Sequence, residues 1–178
     1  MRSPIAIIAA AALPCALLFL SGMDYLDRTV PAMAAADAQA TKIVVDKKAR
    51  KLMLLHDTDV LKTYDVSLGR APVGTKQQEG DSRTPEGRYL VDAKNPGSRF
   101  HLALHVSYPD AADRDRARRL GVSPGGDIMV HGLRNGLGWL GRLHLAVDWT
   151  DGCIAVTDSQ VEEIWSLVAV GTPIDIGP

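Results

Sequence analysis

Apolar residues recur at short, regular intervals along much of this chain, and polar or glycine-containing turns separate the apolar runs. The clearest runs cover residues 42–46, 50–56 and 60–68, with the polar turn Asp57-Thr58-Asp59 between the last two. Short alternating runs joined by tight polar turns are typical of antiparallel hairpins. The pattern therefore predicts a β-meander over the first part of the domain.

Later segments combine further strands with two helices. Strands are predicted over 88–93, 99–107, 128–131, 154–156 and 174–176. Residues 110–120 place aspartates early and arginines late, which complements the helix dipole, and Gly121 follows as a stop signal. Thr157 and Gln160 are spaced as a capping box before apolar residues of helical periodicity. The predicted fold class is mainly β with short helices, an α+β domain of sandwich-like form.

The N-terminal residues have a different pattern. Arg2 precedes an apolar stretch from Ile5 to Leu20, and alanine-rich sequence with small-residue cleavage sites follows up to Ala36. This is a secretory pattern, which predicts export to the periplasm or cell envelope. Two alternatives stay open: a cleaved signal peptide, or an N-terminal membrane anchor, although a span usually needs about 20 apolar residues. The predicted organisation is a leader over 1–36, a linker over 37–40 and one folded domain over 41–178.

Charge and cysteine content narrow the functional classes. The net charge is −1 and no basic tract occurs, which disfavours nucleic acid and leaves the N-terminal segment as the only expected membrane contact. Beyond Ala36 the chain has a single cysteine, Cys153, so no internal disulfide can form. In an exported protein such a thiol is a pairing partner or a reactive group, and the alternative is an inert buried cysteine.

His131 is the predicted partner of Cys153. The strands predicted before His131 and after Cys153 would bring both residues to the rim of one sheet. An imidazole can take the thiol proton, and the resulting thiolate is the nucleophile. Gly132 and Gly152 flank the pair, and the backbone N–H groups of Gly152 and Cys153 are the predicted oxyanion donors.

Other residues near this pair are candidates for binding substrate. The glycine-rich segment 132–150 is predicted to line or cover the site, with Trp139 and Trp149 as groove walls. His144 is a rival base, disfavoured because it lies within the loop. Asp148 and Asp151 are candidate orienters of an imidazole. His105 is a candidate for the groove wall; it is about 13 Å from His101 on an extended strand, so these two histidines cannot share a metal ion.

Several motifs resemble one known family. His131-Gly132 followed by Thr150-x-Gly152-Cys153-Ile154 is similar to the L,D-transpeptidase catalytic domain (YkuD-type). The upstream motifs Tyr64-x-Val66-Ser67-Leu68-Gly69 and Gly80-Asp81-x-Arg83-Thr84-Pro85-Glu86-Gly87 occur in the family's usual order. The chain departs from the family at two positions: Asp151 stands where many members have histidine, and Ala155 where many have arginine.

The resemblance implies acyl transfer on peptidoglycan stem peptides. Cys153 would attack the carbonyl of an L-centred residue, usually meso-diaminopimelate. The terminal D-amino acid would then depart, and a thioester would remain on Cys153. His131, held by the Gly132 carbonyl, would move the protons, and neither a metal nor an organic cofactor is expected. The acceptor stays open: a stem-peptide amine, a lysine of a wall-anchored protein, or water, as in an amidase or L,D-carboxypeptidase. A further alternative is a non-catalytic wall-binding module.

Overall fold

The computed structural model describes residues 39–178, which contain eight β-strands and three short helical segments. The strands are β1 Lys42–Asp46, β2 Lys51–His56, β3 Asp59–Asp65, β4 Gly87–Asn95, β5 Ala103–Val106, β6 Met129–His131, β7 Ile154–Ala155 and β8 Pro173–Gly177. The helices are α1 Ala111–Leu120 and α2 Asp158–Leu167, and a 3₁₀ segment covers Gly138–Ala146.

The strands of the described region form one curled sheet in the order β3-β2-β1-β8-β4-β5-β6-β7. The first three strands pair antiparallel with their sequence neighbours, which confirms the predicted meander. Two parallel pairings, β1 with β8 and β6 with β7, join segments that are far apart in sequence. The predicted class, mainly β with short helices, is confirmed.

Alternation along the strands builds the core. In β1 the side chains of Ile43 and Val45 are fully buried, and in β2 those of Leu52 and Leu54 are fully buried, with less buried residues between them. Successive side chains of a strand point to opposite faces, so these residues cover one face of the sheet. Helix α2 adds Val161 and Ile164 to the same apolar core.

Both helices begin where local capping signals predict, and α1 also ends at its predicted stop. At α1, Asp110 and Asp113 form a capping box, and Gly121 ends the helix with a left-handed φ of 69°. At α2, Thr157 and Gln160 form the second capping box. One acidic residue of α1 also ties the helix to the sheet, because Asp113 is buried and accepts a hydrogen bond of 3.0 Å from the Tyr89 hydroxyl of β4.

A buried lysine holds the long segment between β3 and β4. Lys47 Nζ donates to the carbonyls of Gly74 (2.7 Å) and Thr84 (3.0 Å) and pairs with Glu86. Because only 3% of Lys47 is exposed, its charge needs these partners. Thr84, part of the upstream motif 80–87, is fully buried and its hydroxyl accepts from the Gly69 N–H. These contacts fix the segment between β3 and β4 to Lys47, which directly follows β1.

The predicted strand over 99–107 is wrong in its first half. Only Ala103–Val106 is extended, and Arg99–Leu102 form a turn and bend in which His101 has a φ of +66°. The turn is tied to a distant residue, because Asn135 donates to Arg99 O (2.9 Å) and accepts from the His101 N–H (2.8 Å). Phe100 therefore does not belong to the core face of a strand.

The N-terminal predictions fall mostly outside the described residues. The leader over 1–36 lies wholly outside them, as does half of the 37–40 linker. Ala40, assigned to that linker, belongs to the fold instead: it is buried, and its N–H donates to Leu167 O at 2.8 Å. Across residues 39–178, the helices are too short and too polar to qualify as membrane spans.

Candidate active site

Two adjacent parallel strands bring His131 and Cys153 together. His131 ends β6 and is in register with Ala155 of β7, and Cys153 lies two residues before Ala155. Side chains two residues apart on a strand share a face, so Cys153 projects to the side of His131. This register implies a separation of about 8 Å between their Cα atoms, which the two side chains can span.

His131 and Cys153 line one cleft of about 480 Å³. Its lining residues are Asn95, Gly97, Ser98, Arg99, Phe100, Asp127, Met129, His131, Trp149, Thr150, Asp151 and Cys153. They come from the end of β4 and the turn before β5, from β6 and the preceding Asp127, and from the segment that leads into β7. The cleft therefore lies at the end of the sheet, where those three segments meet.

His131 is held as a neutral base. Its Nδ1 lies 2.6 Å from the Gly132 carbonyl, to which it donates, so the lone pair of the neutral ring is on Nε2. The ring packs against Phe100, with centroids 4.6 Å apart, and against Trp149 at 5.8 Å. Burial lowers the pKa of His131, which keeps the imidazole uncharged and able to accept a proton at neutral pH.

Cys153 is also neutral in this state. Burial raises the pKa of its thiol to about 11, although a hydrogen bond from the Met129 N–H acts in the opposite direction. The carboxylates of Asp151 and Asp127 raise the pKa further, and Lys76 lowers it. The thiol lies 3.4 Å from the Asp127 carbonyl, to which it donates. The resting cleft thus contains a neutral thiol and a neutral imidazole, the protonation states that proton transfer during attack requires.

Thr150 and Gly152 shape the turn that presents Cys153. The Thr150 hydroxyl donates to the Cys153 carbonyl (2.8 Å) and accepts from the Gly152 N–H (3.2 Å). The predicted oxyanion donor Gly152 is therefore already engaged within the turn. The Cys153 N–H is the remaining donor of the predicted pair, and its role stays a prediction.

Glycine is required on both sides of the pair. Gly152 has a φ of +131°, and a Cβ there would lie 2.6 Å from the Arg83 carbonyl. At Gly132 a Cβ would lie 2.7 Å from Asp158 Oδ1, which accepts a hydrogen bond from the Leu133 N–H. A larger residue would displace the Arg83 backbone at position 152, and the Asp158 side chain that binds the Leu133 N–H at position 132.

The outer edge of the cleft is charged; we call Arg99, Asp127 and Asp151 the rim. The Asp127 side chain is 92% exposed, and Asp151 is exposed and forms an ion pair with Arg70. Asp127 has a left-handed φ of 54°, which aspartate tolerates better than most residues. By contrast His131, Thr150 and Gly152, which we call the inner wall, are buried.

The predicted binding residues are distributed unevenly. Trp149 and Asp151 line the cleft, whereas Trp139 is 75% exposed on the 3₁₀ segment and is not a lining residue. His144 is buried behind Trp149, where its Nδ1 accepts from the indole N–H at 3.4 Å. His105 also lies off the lining, with its Nε2 3.9 Å from Asp127 Oδ1.

The imidazole orienters weighed from the sequence have other partners. Asp148 accepts from the Leu68 N–H at 2.9 Å and pairs with Arg50, and Asp151 pairs with Arg70. The group that contacts the His131 Nδ1 is the Gly132 carbonyl. Within residues 39–178, no three histidine, cysteine or acidic side chains converge as metal ligands do.

Phe100, Arg99 and Thr150 are site residues that the sequence analysis missed. Phe100 and Arg99 were placed in a strand, and the turn that carries them to the cleft depends on distant Asn135. Thr150 was recognised only as part of a motif. Its position three residues before Cys153 is the signal that could have identified it, because such spacing permits a hydroxyl to close a turn.

Comparison with protein families agrees with this geometry. The family model YkuD, the L,D-transpeptidase catalytic domain, matches residues 40–176. The chain belongs to this family. The match covers nearly all of the described domain and includes both His131 and Cys153.

Individual relatives are more distant. The protein named Putative L,D-transpeptidase YafK, from Escherichia coli (strain K12), is 28% identical over 111 residues, which cover 61% of this chain and 37% of that protein. The crystal structure of the helical cell shape determining protein Pgp2 from Campylobacter jejuni has a TM-score of 0.57 at 24% identity, covering 79% of this chain and 48% of that one.

An L,D-transpeptidase from Mycobacterium smegmatis has a TM-score of 0.51 at 19% identity, covering 76% of this chain and 58% of that one. These structural likenesses establish a shared fold. This chain aligns with well under half the length of the YafK protein and about half the length of the Pgp2 structure.

Proposed function

We propose that this protein is a peptidoglycan L,D-transpeptidase in which Cys153 is the nucleophile and His131 the general base. The observation that supports it most strongly is that His131 and Cys153, on adjacent parallel strands, line the same cleft. Membership of the YkuD family supplies the substrate class, peptidoglycan stem peptides.

In the first half-reaction, the donor peptide binds with the carbonyl of its L-centred residue beside the Cys153 Sγ. His131 Nε2 takes the thiol proton as the sulfur attacks, and a C–S bond forms. The Cys153 N–H stabilises the oxyanion. The C–N bond then breaks, His131 returns the proton to the leaving amine of the terminal D-amino acid, and a thioester remains on Cys153.

In the second half-reaction, an acceptor amine attacks the thioester. His131 Nε2 removes a proton from the attacking nitrogen, the new amide bond forms, and the C–S bond breaks. The proton passes from His131 to the departing sulfur, which regenerates the neutral thiol. The raised pKa of Cys153 favours this return to the protonated form.

The direct test is product analysis with a disaccharide tetrapeptide. Wild type is expected to release the terminal D-amino acid and to form a cross-linked dimer, and Cys153→Ala is expected to do neither while retaining the wild-type melting temperature. Tripeptide without dimer would assign the chain to L,D-carboxypeptidases, in which water replaces the amine. Equal turnover by Cys153→Ala would refute the proposal.

A second measurement separates an enzyme from a wall-binding module. The family resemblance implies that a carbapenem acylates the nucleophilic cysteine. Mass spectrometry is expected to find the adduct on the Cys153 peptide of wild type. An unmodified Cys153, together with binding of the protein to intact wall material, would favour the module.

We further propose that the protein acts in the periplasm or cell envelope, because its proposed substrate is located there and the N-terminal pattern is secretory. Cell fractionation followed by immunoblotting tests this location. Recovery of the protein solely in the cytosolic fraction would contradict it.

A further inference from the structure

Of the described residues that line the cleft, Arg99 is the one lysine or arginine. The other charged lining side chains are the carboxylates Asp127 and Asp151, which repel an anionic substrate. Arg70 lies nearby, but its guanidinium pairs with Asp151. No carboxylate of residues 39–178 lies within 4.0 Å of the Arg99 guanidinium. Among residues 39–178, Arg99 is therefore a cation at the cleft without an acidic partner.

The backbone around Arg99 is fixed. Asn135 makes three hydrogen bonds to this turn: its N–H to Arg99 O (2.9 Å), its amide to Ser98 O (3.2 Å), and its side-chain oxygen to the His101 N–H (2.8 Å). Phe100 anchors the turn from the other side by packing on the His131 ring. A turn held in this way fixes the backbone position from which the Arg99 side chain extends into the cleft.

A cation cannot come from the strand that follows the cysteine. Ala155, the second residue after Cys153, is fully buried, and its N–H and carbonyl both bond to Ser67. Its neighbours Ile154 and Val156 belong to the apolar core, so Ala155 lies on the same face as Cys153, where its methyl group supplies no charge.

We propose that Arg99 binds the C-terminal carboxylate of the donor peptide and so selects substrates that carry this group next to the scissile bond. This inference rests on the proposed function for the identity of the substrate. A guanidinium pairs with a carboxylate through two parallel hydrogen bonds, which supplies orientation as well as affinity. Arg99 thereby places the leaving D-amino acid in the cleft while Cys153 attacks the adjacent carbonyl.

The deciding experiment uses two alkylating reagents that differ in charge. Iodoacetate carries a carboxylate beside its reactive carbon, and iodoacetamide is its neutral counterpart. Alkylation of the full-length protein is followed at the Cys153 peptide by mass spectrometry, so Cys15 does not interfere. The ratio of the two rates cancels any change that a substitution makes in the pKa of Cys153.

Arg99→Gln is expected to lower the iodoacetate-to-iodoacetamide ratio by about tenfold, the effect of losing one charge-assisted pair. Arg99→Lys is expected to fall between wild type and Arg99→Gln, since it keeps the charge and loses the planar fork. Arg134→Gln is the matched control, because it removes the same charge from an exposed position outside the cleft lining. An unchanged ratio in Arg99→Gln, or an equal fall in Arg134→Gln, would overturn the proposal.

A peptide pair tests the same idea in turnover. Arg99→Gln should lower kcat/KM by about tenfold for the tetrapeptide acid and leave its C-terminal amide nearly unaffected. Equal losses on both peptides would overturn the assignment to the C-terminal carboxylate. If wild type turns over neither peptide, the proposed function fails, and the alkylation ratio still decides whether Arg99 recognises a carboxylate at Cys153.

Discussion

The inner wall and the rim of the cleft differ in burial and in charge. The inner wall, His131, Thr150 and Gly152, is buried and tied to backbone groups, with no formal charge in the resting state. The rim, Arg99, Asp127 and Asp151, is exposed and charged. Burial fixes geometry and shifts pKa values, whereas exposed charges are screened and act mainly on selectivity. Substitutions in the inner wall should therefore stop the chemistry, and substitutions at the rim should change its preferences.

The largest effect is expected at the base. His131→Gln should lower turnover by about 10²- to 10⁴-fold, the usual contribution of a general base. In this variant, alkylation of Cys153 by iodoacetamide at pH 10 should stay within about threefold of the wild-type rate, because bulk hydroxide then deprotonates the thiol. His56→Gln, at an exposed strand end, is the control and should retain turnover. Retained turnover in His131→Gln would contradict the account.

The next largest effect is expected in the rate of Cys153 alkylation as the pH changes. With the pKa of Cys153 raised to about 11 by burial, the thiolate is a minor species below that pH and grows as pH rises. Alkylation by iodoacetamide should therefore increase about a thousandfold between pH 7 and pH 10, roughly tenfold per pH unit. A rate that is already constant at pH 7 would instead indicate a resting thiolate paired with a protonated His131.

A smaller effect is expected from the glycine before the nucleophile. Gly152→Ala places a Cβ 2.6 Å from the Arg83 carbonyl at a left-handed φ. It should lower the free energy of unfolding by about 1–3 kcal/mol, with a clear loss of turnover. Gly126→Ala is the matched control, since a Cβ there meets no atom within 4 Å. Chemical denaturation of both variants measures the difference, and equal stability would show that the turn can relax.

The smallest effect is expected at the rim. Asp151→Asn removes an exposed ion pair with Arg70, so stability should change by less than about 1 kcal/mol. The Asp151 carboxylate raises the pKa of Cys153, and its neutralisation should speed alkylation at pH 8 by about two- to threefold. A loss of turnover above about tenfold would place Asp151 with the inner wall in function.

Local signals made much of the fold predictable. The capping boxes at Asp110 and Thr157 and the stop at Gly121 depend on residues a few positions apart, and the sequence displays them directly. Strand β1 was predictable because its alternation matches the burial of its side chains. The parallel pairing of β1 with β8 was not, since it joins residues at opposite ends of the domain.

The site shows the same division. His131 and Cys153 were recognisable from a motif and from the strands beside them. Arg99 and Phe100 were not, because an alternating pattern over 99–107 resembles a strand, and the Asn135 contacts that bend it come from elsewhere in the chain. The glycine-rich segment 132–150 likewise contains a 3₁₀ segment, which carries Trp139 at an exposed position.

The central claim is that one sulfur carries the acyl group. Rapid mixing of the full-length protein with disaccharide tetrapeptide, acid quenching and peptide mass spectrometry would detect this intermediate. The account predicts a hydroxylamine-labile acyl adduct on the Cys153 peptide in wild type, slower formation in His131→Gln, and none in Cys153→Ala. Turnover with an adduct on any other side chain, or with Cys153 unmodified throughout, would contradict it.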